Sequence, residues 1–100
     1  TINVTYFGPL PIAPAPSSAP TVTVGSTLTV TWSAYTSCPS GHDLAGYAVA
    51  IDGAVVGNAT STTLGGLALP ASGSHSATVM ANCSGLALSA ASPAGSFIVP

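Results

Sequence analysis

The sequence predicts an all-β protein, an antiparallel sandwich of about seven strands, on three observations. The stretch Thr27–Trp32 alternates strictly, with Leu28, Val30 and Trp32 on one face and threonines on the other, and this period of two is typical of a half-buried strand. Similar short runs recur at intervals of about 8–12 residues between turn signals, as in β-sandwiches. Helical periodicity is absent from the sequence.

The charge of the chain is its most unusual feature. It has no Lys or Arg and only two acids, Asp43 and Asp52, while 47% of its 100 residues are apolar; typical domains are about 25% charged. Because binding to phosphate groups and anionic lipid needs cations, we expect no nucleic-acid partner. No apolar run reaches the ~18 residues needed for membrane insertion. Solubility then has to come from uncharged polar side chains, glycans or assembly.

The same lack of Lys and Arg predicts that stability depends little on pH or salt. Acid unfolding comes mostly from protonating carboxylates that are paired in the folded state. With no such cation to pair with Asp43 or Asp52, we expect a nearly flat stability curve from mild acid to neutral pH.

The first 20 residues are predicted to form an extended N-terminal arm and a proline-rich linker, and residues 21–100 the sandwich. Residues 1–8 are apolar on both faces, and residues 9–20 contain five prolines, which favour a stiff connector. The arm either folds back along its own domain or docks on a neighbouring subunit as an added strand. The residues expected to make that subunit contact are Ile2, Val4, Tyr6 and Phe7.

The strands follow in order along the chain. The hairpin dipeptide Asp52-Gly53 separates two of them, a loop is expected over Tyr35–Ala45, and a connector with Pro70 over Leu67–Gly73. The segment Leu86–Ala94 is either a loop or the broken first part of the last strand. The predicted strands are Thr21–Val24, Thr27–Ala34, Gly46–Ile51, Ala54–Val56, Ser61–Leu64, His75–Cys83 and Ser96–Val99. The residues expected to point inward from the third and sixth are Tyr47, Val49, Ile51, Ala77, Val79 and Ala81.

Several of these residues stand in a known pattern. They are Trp32 in the second strand, the run Gly46–Gly57 around Asp52-Gly53, the pair Gly66-Leu67, and Ala81-Asn82 followed by Gly85, Ser89 and Ser92. In this pattern, the chain from Leu28 to Val99 resembles a bacterial fibronectin type III domain, which implies an immunoglobulin-like sandwich. The family usually has a tyrosine-corner Tyr where this chain has His75, and an imidazole N–H can make the same hydrogen bond.

The two cysteines, Cys38 and Cys83, are predicted to form a disulfide. In an uncharged chain rich in Ser and Thr, a bridge is favoured over two free thiols. The resemblance places both residues at the same end of the sandwich, which supports the pairing. Closing a loop of 45 residues contributes about 4 kcal/mol by the chain-entropy relation.

No group of residues predicts catalysis, and we expect neither enzymatic activity nor a cofactor. Asp43 and Asp52 bracket an extended strand, about 30 Å apart at the rise of a strand, too far for glycosidase carboxylates. A metal site built from Cys38, His42, His75 and Cys83 is disfavoured because His75 and Cys83 lie at opposite ends of one strand. No Gly-x-Ser-x-Gly motif or phosphate-binding glycine loop is present.

All three asparagines, Asn3, Asn58 and Asn82, lie in Asn-x-Ser/Thr sequons and are candidate N-glycosylation sites. The richness of the chain in Ser and Thr is an alternative explanation for this pattern. Glycans would help to solubilise an uncharged surface.

These features favour a non-enzymatic structural subunit of an extracellular assembly, either a virion decoration or tail protein or a surface-filament subunit. Its partner would be a second copy or a coat protein, bound through the arm and the uncharged faces. The alternative is an accessory spacer, or a carbohydrate-binding module, of a secreted polysaccharide-degrading enzyme. A binding module would use an exposed aromatic side chain such as Tyr35 in the loop after the second strand.

Overall fold

A computed structural model describes residues 12–100 of the chain. The predicted subunit contacts Ile2, Val4, Tyr6 and Phe7, and the sequon at Asn3, lie outside the described residues. Within residues 12–100 all regular structure is β, so the predicted all-β class is confirmed. The strands are β1 (Thr21–Val24), β2 (Leu28–Thr31), β3 (Leu44–Ile51), β4 (Ala54–Ala59), β5 (Thr63–Leu67), β6 (Gly73–Cys83) and β7 (Gly95–Val99).

The strands form two antiparallel sheets. The three-stranded sheet has the order β1-β2-β5 and the four-stranded sheet the order β4-β3-β6-β7. Every paired neighbour is antiparallel. The two sheets pack face to face, and the side chains pointing inward from both form one core. The predicted antiparallel sandwich is therefore confirmed for the described part of the chain.

Alternation along the strands determines which residues enter the core. From β2, Leu28 and Val30 are fully buried, and Val49 and Val79 lie opposite each other in β3 and β6. The residues predicted to point inward from β3 and β6 are all buried, as the period of two requires. They are Tyr47, Val49, Ile51, Ala77, Val79 and Ala81.

The second strand is shorter than predicted, and this moves Trp32 to the margin of the core. β2 ends at Thr31, not at Ala34, although the Trp32 N–H still donates to Thr62 O at 3.0 Å. The Trp32 ring is only partly buried and packs edge-on against Tyr47, with centroids 5.3 Å apart. The chain leaves the sheet at this point, so strict alternation no longer fixes where the side chain goes.

The fourth strand is longer than predicted, and the fifth is displaced along the chain. β4 continues to Ala59 because it carries a bulge: Val49 pairs with Gly57 but Ala50 with Val55, which leaves Val56 as an extra residue. The ladder resumes beyond this bulge. The turn into β5 comes later as a consequence, and β5 occupies Thr63–Leu67 instead of Ser61–Leu64.

Tyr35 is buried, and the expectation of an exposed aromatic ring at this position is wrong. Its hydroxyl donates to Pro14 O at 2.6 Å, and its backbone N–H donates to the Tyr47 hydroxyl at 2.9 Å. Burial raises the pKa of Tyr35. Ala13, beside Pro14, also belongs to the core cluster. Part of the proline-rich segment therefore packs on the sandwich, and Tyr35 fixes it there.

Candidate functional site: uncharged faces and the two ends of the sandwich

The outer face of the four-stranded sheet carries no charged side chain. Cross-strand pairs place Ala50 between Val55 and Thr78, and Ala48 between Asn58 and Met80. Ala48 and Ala50 are only 1% and 2% exposed because longer neighbours cover them. Val55 in β4 is 54% exposed, and Ile98 in β7, on the same face, is 69% exposed. This face, called the alanine face below, presents apolar side chains at both of its edges.

The outer face of the three-stranded sheet is an array of threonines. Thr21 pairs with Thr31 and Thr31 with Thr63, so one row of hydroxyls and methyls crosses all three strands. A second row pairs Thr23 with Thr29. This face is also uncharged, and neighbouring side chains in a row lie roughly 5 Å apart.

The edge formed by β4 lacks most of the features that keep edge strands from pairing with other chains. β4 is the outermost strand of its sheet and contains neither a charge nor a proline, and most of its residues are exposed. Its protection is the bulge at Val56, which twists the edge locally. The backbone groups on its outer side are thus open to another extended strand.

The two cysteines form a disulfide at one end of the sandwich, as predicted. Cys38 and Cys83 are joined with an S–S distance of 2.03 Å and a Cα–Cα distance of 5.7 Å. The bridge ties the loop after β2 to the end of β6, and Cys83 is fully buried. It therefore links segments that continue from different sheets.

His42 and Asp43 lie beside this disulfide and contact Ser84, a proximity that the sequence did not reveal. The His42 Nδ1 faces the carbonyl oxygen of Ser84 at 2.8 Å, and the Asp43 backbone N–H donates to the Ser84 hydroxyl at 3.1 Å. Ser84 N–H in turn donates to Asp43 O at 2.7 Å. The imidazole is bonded to a carbonyl rather than to the hydroxyl, so the three residues are not arranged as base and nucleophile. They join two loops.

His75 lies at the opposite end of β6 and contacts Asp52, a partnership that the sequence analysis missed. Asp52 follows β3 in the predicted hairpin turn, where both Asp52 and Gly53 have positive φ. Its carboxylate accepts from the Ser76 N–H at 3.0 Å and lies 2.5 Å from the His75 Nδ1. The hydrogen bond from His75 lowers the pKa of Asp52, and the same bond raises the pKa of His75. A sequence separation of 23 residues conceals this contact.

The contact between His75 and Asp52 provides a pair of ionisable groups that the expectation of a flat pH dependence left out. That expectation counted Lys and Arg as the available cations, but a protonated imidazole is also a cation. The other ring nitrogen of His75, Nε2, lies 2.6 Å from Ala71 O, four residues upstream.

The candidate metal ligands do not converge. Within residues 12–100, no three His, Cys, Asp or Glu side chains come close enough to hold one ion. His75 and Cys83 stand near opposite ends of β6, and Cys38 and Cys83 are joined to each other.

No helix among the described residues is long and apolar enough to cross a membrane.

Depressions open at several places on the described surface. One, of about 440 Å³, lies around Gly46 and is flanked by both described sequon residues, Asn58 and Asn82, which are exposed; their glycosylation stays a prediction. A second, of about 140 Å³, lies between Pro14 and Trp32. The Trp32 Nε1 is buried and has no acceptor within residues 12–100, and this cavity is large enough for several waters.

The third depression is an apolar cleft beside the Asp52 hairpin. It has a volume of about 390 Å³ and opens between the edges of the two sheets, with Asp52 as its charged rim. The other residues that line it are Ile51, Val56, Leu67, Ala68 and Pro70.

Comparisons with protein-family models and with curated proteins do not assign this chain to a family. No protein-family model matches the sequence, and no curated protein is significantly similar to it.

Proposed function

We propose that this chain is a non-enzymatic structural subunit of an extracellular assembly, built on a fibronectin type III-like sandwich. The observation that carries the proposal is the alanine face, where Val55 and Ile98 are exposed on a sheet surface without any charge. Charged groups must be desolvated when a surface is buried, at a cost of several kcal/mol per ion. A face without charges avoids this cost when another copy covers it.

The alanine face is too small to hold an assembly together by itself. Four strands spaced about 4.8 Å apart and five residues long cover roughly 300 Å², whereas a stable interface buries about 800 Å² on each partner. A second contact is needed. The arm residues Ile2, Val4, Tyr6 and Phe7 can supply it by adding a strand to an open edge such as β4 of a neighbour.

The assembly is a virion coat or tail structure, or a cell-surface filament. The disulfide between Cys38 and Cys83 suits either location, because both are oxidising environments. Attached glycans at Asn58 and Asn82 would favour the filament. The alternative is an accessory spacer of a secreted enzyme, which would function as a monomer. With Tyr35 buried, a carbohydrate-binding module loses the aromatic residue proposed for it.

The oligomeric state of the purified chain tests this function. We expect light scattering and electron microscopy to show particles much larger than the 9.6 kDa monomer. Deletion of residues 1–8, and separately Ile98→Lys, should reduce the assembled fraction while leaving the melting temperature nearly unchanged. The matched control is Ser26→Lys, which adds the same charge in the exposed turn between β1 and β2. A monomer at every concentration would contradict the proposal and favour the spacer.

A further inference from the structure

Three segments of the chain meet around the imidazole of His75. Nδ1 faces the Asp52 carboxylate at 2.5 Å, in the hairpin between β3 and β4, and Nε2 faces Ala71 O at 2.6 Å, in the connector between β5 and β6. The ring stacks on Phe97 of β7, with centroids 5.6 Å apart. The side chain of His75 is only 14% exposed. This one residue of β6 is thus in contact with segments adjoining most of the strands.

The geometry requires two protons on the ring. A carbonyl oxygen and a carboxylate can only accept hydrogen bonds, and a neutral imidazole has a single N–H to donate. The imidazolium form alone satisfies both partners. When the ring loses a proton, the bond to the carboxylate is the stronger of the two, so the tautomer that keeps it leaves Ala71 O without its donor.

We propose that His75 is a pH-dependent clasp that holds the connector over residues 68–71 against the Asp52 hairpin. In the imidazolium form it bonds both segments, and on deprotonation it releases the connector. Ala68 and Pro70 of this connector line the apolar cleft beside Asp52. Release of the connector therefore widens the cleft and exposes its apolar wall.

The other ionisable side chains of the described residues lie away from the His75 ring. Asp52 is the carboxylate that faces His75; β7 contributes the uncharged Phe97, and the neighbours in β6 are serines. His42 and Asp43 are at the disulfide end. The Ser72 hydroxyl donates to Pro100 O at 2.9 Å.

The direction of the pH effect follows from both partners. The raised pKa of His75 means that its contribution to stability is complete below about pH 6.5 and is lost as the pH rises through the folded pKa. The lowered pKa of Asp52 means that its contribution is present above about pH 3.9 and is lost as the pH falls through the folded pKa. The clasp is therefore strongest between about pH 4 and pH 6.5.

The test is a titration of the full chain by nuclear magnetic resonance together with melting curves. At about pH 6 we expect both ring nitrogens of His75 to be protonated, and above its folded pKa we expect the amide signals of Ala68, Leu69 and Ala71 to shift and broaden. The melting temperature should fall over the same range. A His75 that titrates at or below the ordinary pKa of about 6.5, or that keeps one bare nitrogen at pH 6, would overturn the proposal.

Two variants separate the clasp from a general pH effect. His75→Tyr keeps a donor for Ala71 O that does not titrate near neutral pH, so its melting temperature should be independent of pH between about pH 6 and pH 8.5. His42→Gln removes the other histidine and should keep the wild-type slope. Equal slopes for His75→Tyr and wild type would overturn the clasp. The spectra of the wild-type protein decide the matter if the variant does not fold.

Discussion

In the segment before β7, the hydroxyls of Ser89 and Ser92 accept hydrogen bonds from N–H groups of β6, as backbone carbonyls do in a paired strand. The N–H of Ser89 donates to Ala81 O at 3.0 Å, and its hydroxyl accepts from the Ala81 N–H at 2.8 Å. Ser92 makes the same pair of bonds to Val79, at 2.9 and 3.0 Å. A spacing of three residues does not fit the two-residue period of a strand but fits an extended helix with three residues per turn. The segment therefore pairs with β6 without being a strand.

Removing either hydroxyl should destabilise the protein. Ser89→Ala or Ser92→Ala leaves a buried N–H of β6 without an acceptor, so we expect the free energy of unfolding to fall by about 1–3 kcal/mol for each. Urea denaturation measures the change. Ser96→Ala, at an exposed position of β7, is the control and should change the free energy by less than about 0.5 kcal/mol. If Ser89→Ala and Ser96→Ala changed the free energy of unfolding equally, the hydrogen bond accepted by the Ser89 hydroxyl would contribute nothing to stability.

The edges of the two sheets come close together where β7 begins. Gly95 pairs with Ala77 of β6 on one side, and on the other its Cα lies against the carbonyl of Pro20, immediately before β1. A Cβ at Gly95 would overlap that carbonyl oxygen. The glycine lets β1 and β7, at neighbouring edges of the two sheets, lie close to each other.

Gly95→Ala should therefore destabilise the sandwich, because β1 and β7 must move apart to admit a methyl group. We expect a loss of about 1–3 kcal/mol, measured by chemical denaturation. Gly25→Ala is a control of opposite sign: the nearest atom to its Cβ is Thr27 O at an ordinary 3.7 Å, and a tolerated Gly→Ala change stabilises by about 0.4–1 kcal/mol. Stabilisation by both substitutions would contradict the close approach.

At the scale of the whole molecule, the stability of this chain depends on burial, backbone pairing and one covalent link. The net charge is −2 and there is no Lys or Arg, and within residues 12–100 the one ion pair is that between His75 and Asp52. The disulfide compensates for the small size of the domain, since short chains bury a smaller fraction of their surface.

Removing the disulfide should cost more than any single side chain. The double variant Cys38→Ala/Cys83→Ala opens a loop of 45 residues, and we expect the free energy of unfolding to fall by about 4 kcal/mol. Denaturation with and without a reducing agent measures it, because the reductant should destabilise the wild-type protein and leave the double variant unchanged. A double variant as stable as wild type would show that the bridge is dispensable.

The parts of the fold that depend on local pattern were predictable. Alternation identified the buried residues of β2, β3 and β6, and Asp52-Gly53 identified the hairpin. The ends of β2 and β4 were not predictable, because a bulge and the departure of the chain from the sheet depend on partners from other strands. Of the candidate sites, the disulfide was found, since cysteines have few alternative roles in such a chain. The contact of His75 with Asp52, and that of His42 and Asp43 with Ser84, were not predicted, because residues of these types have many other roles.

The sequence by itself determined the all-β class, the succession of strands along the chain and the absence of Lys and Arg. These properties follow from the nearest neighbours along the chain or from composition. The tertiary structure alone decided that Tyr35 is buried against Pro14, that Trp32 lies at the margin of the core, and that His75 contacts Asp52. Tyr35 and Pro14 are 21 positions apart and His75 and Asp52 are 23 positions apart, and such residues meet only once the strands have paired and the two sheets have packed. A period of two determines which face of a strand a side chain occupies, but not what it meets there.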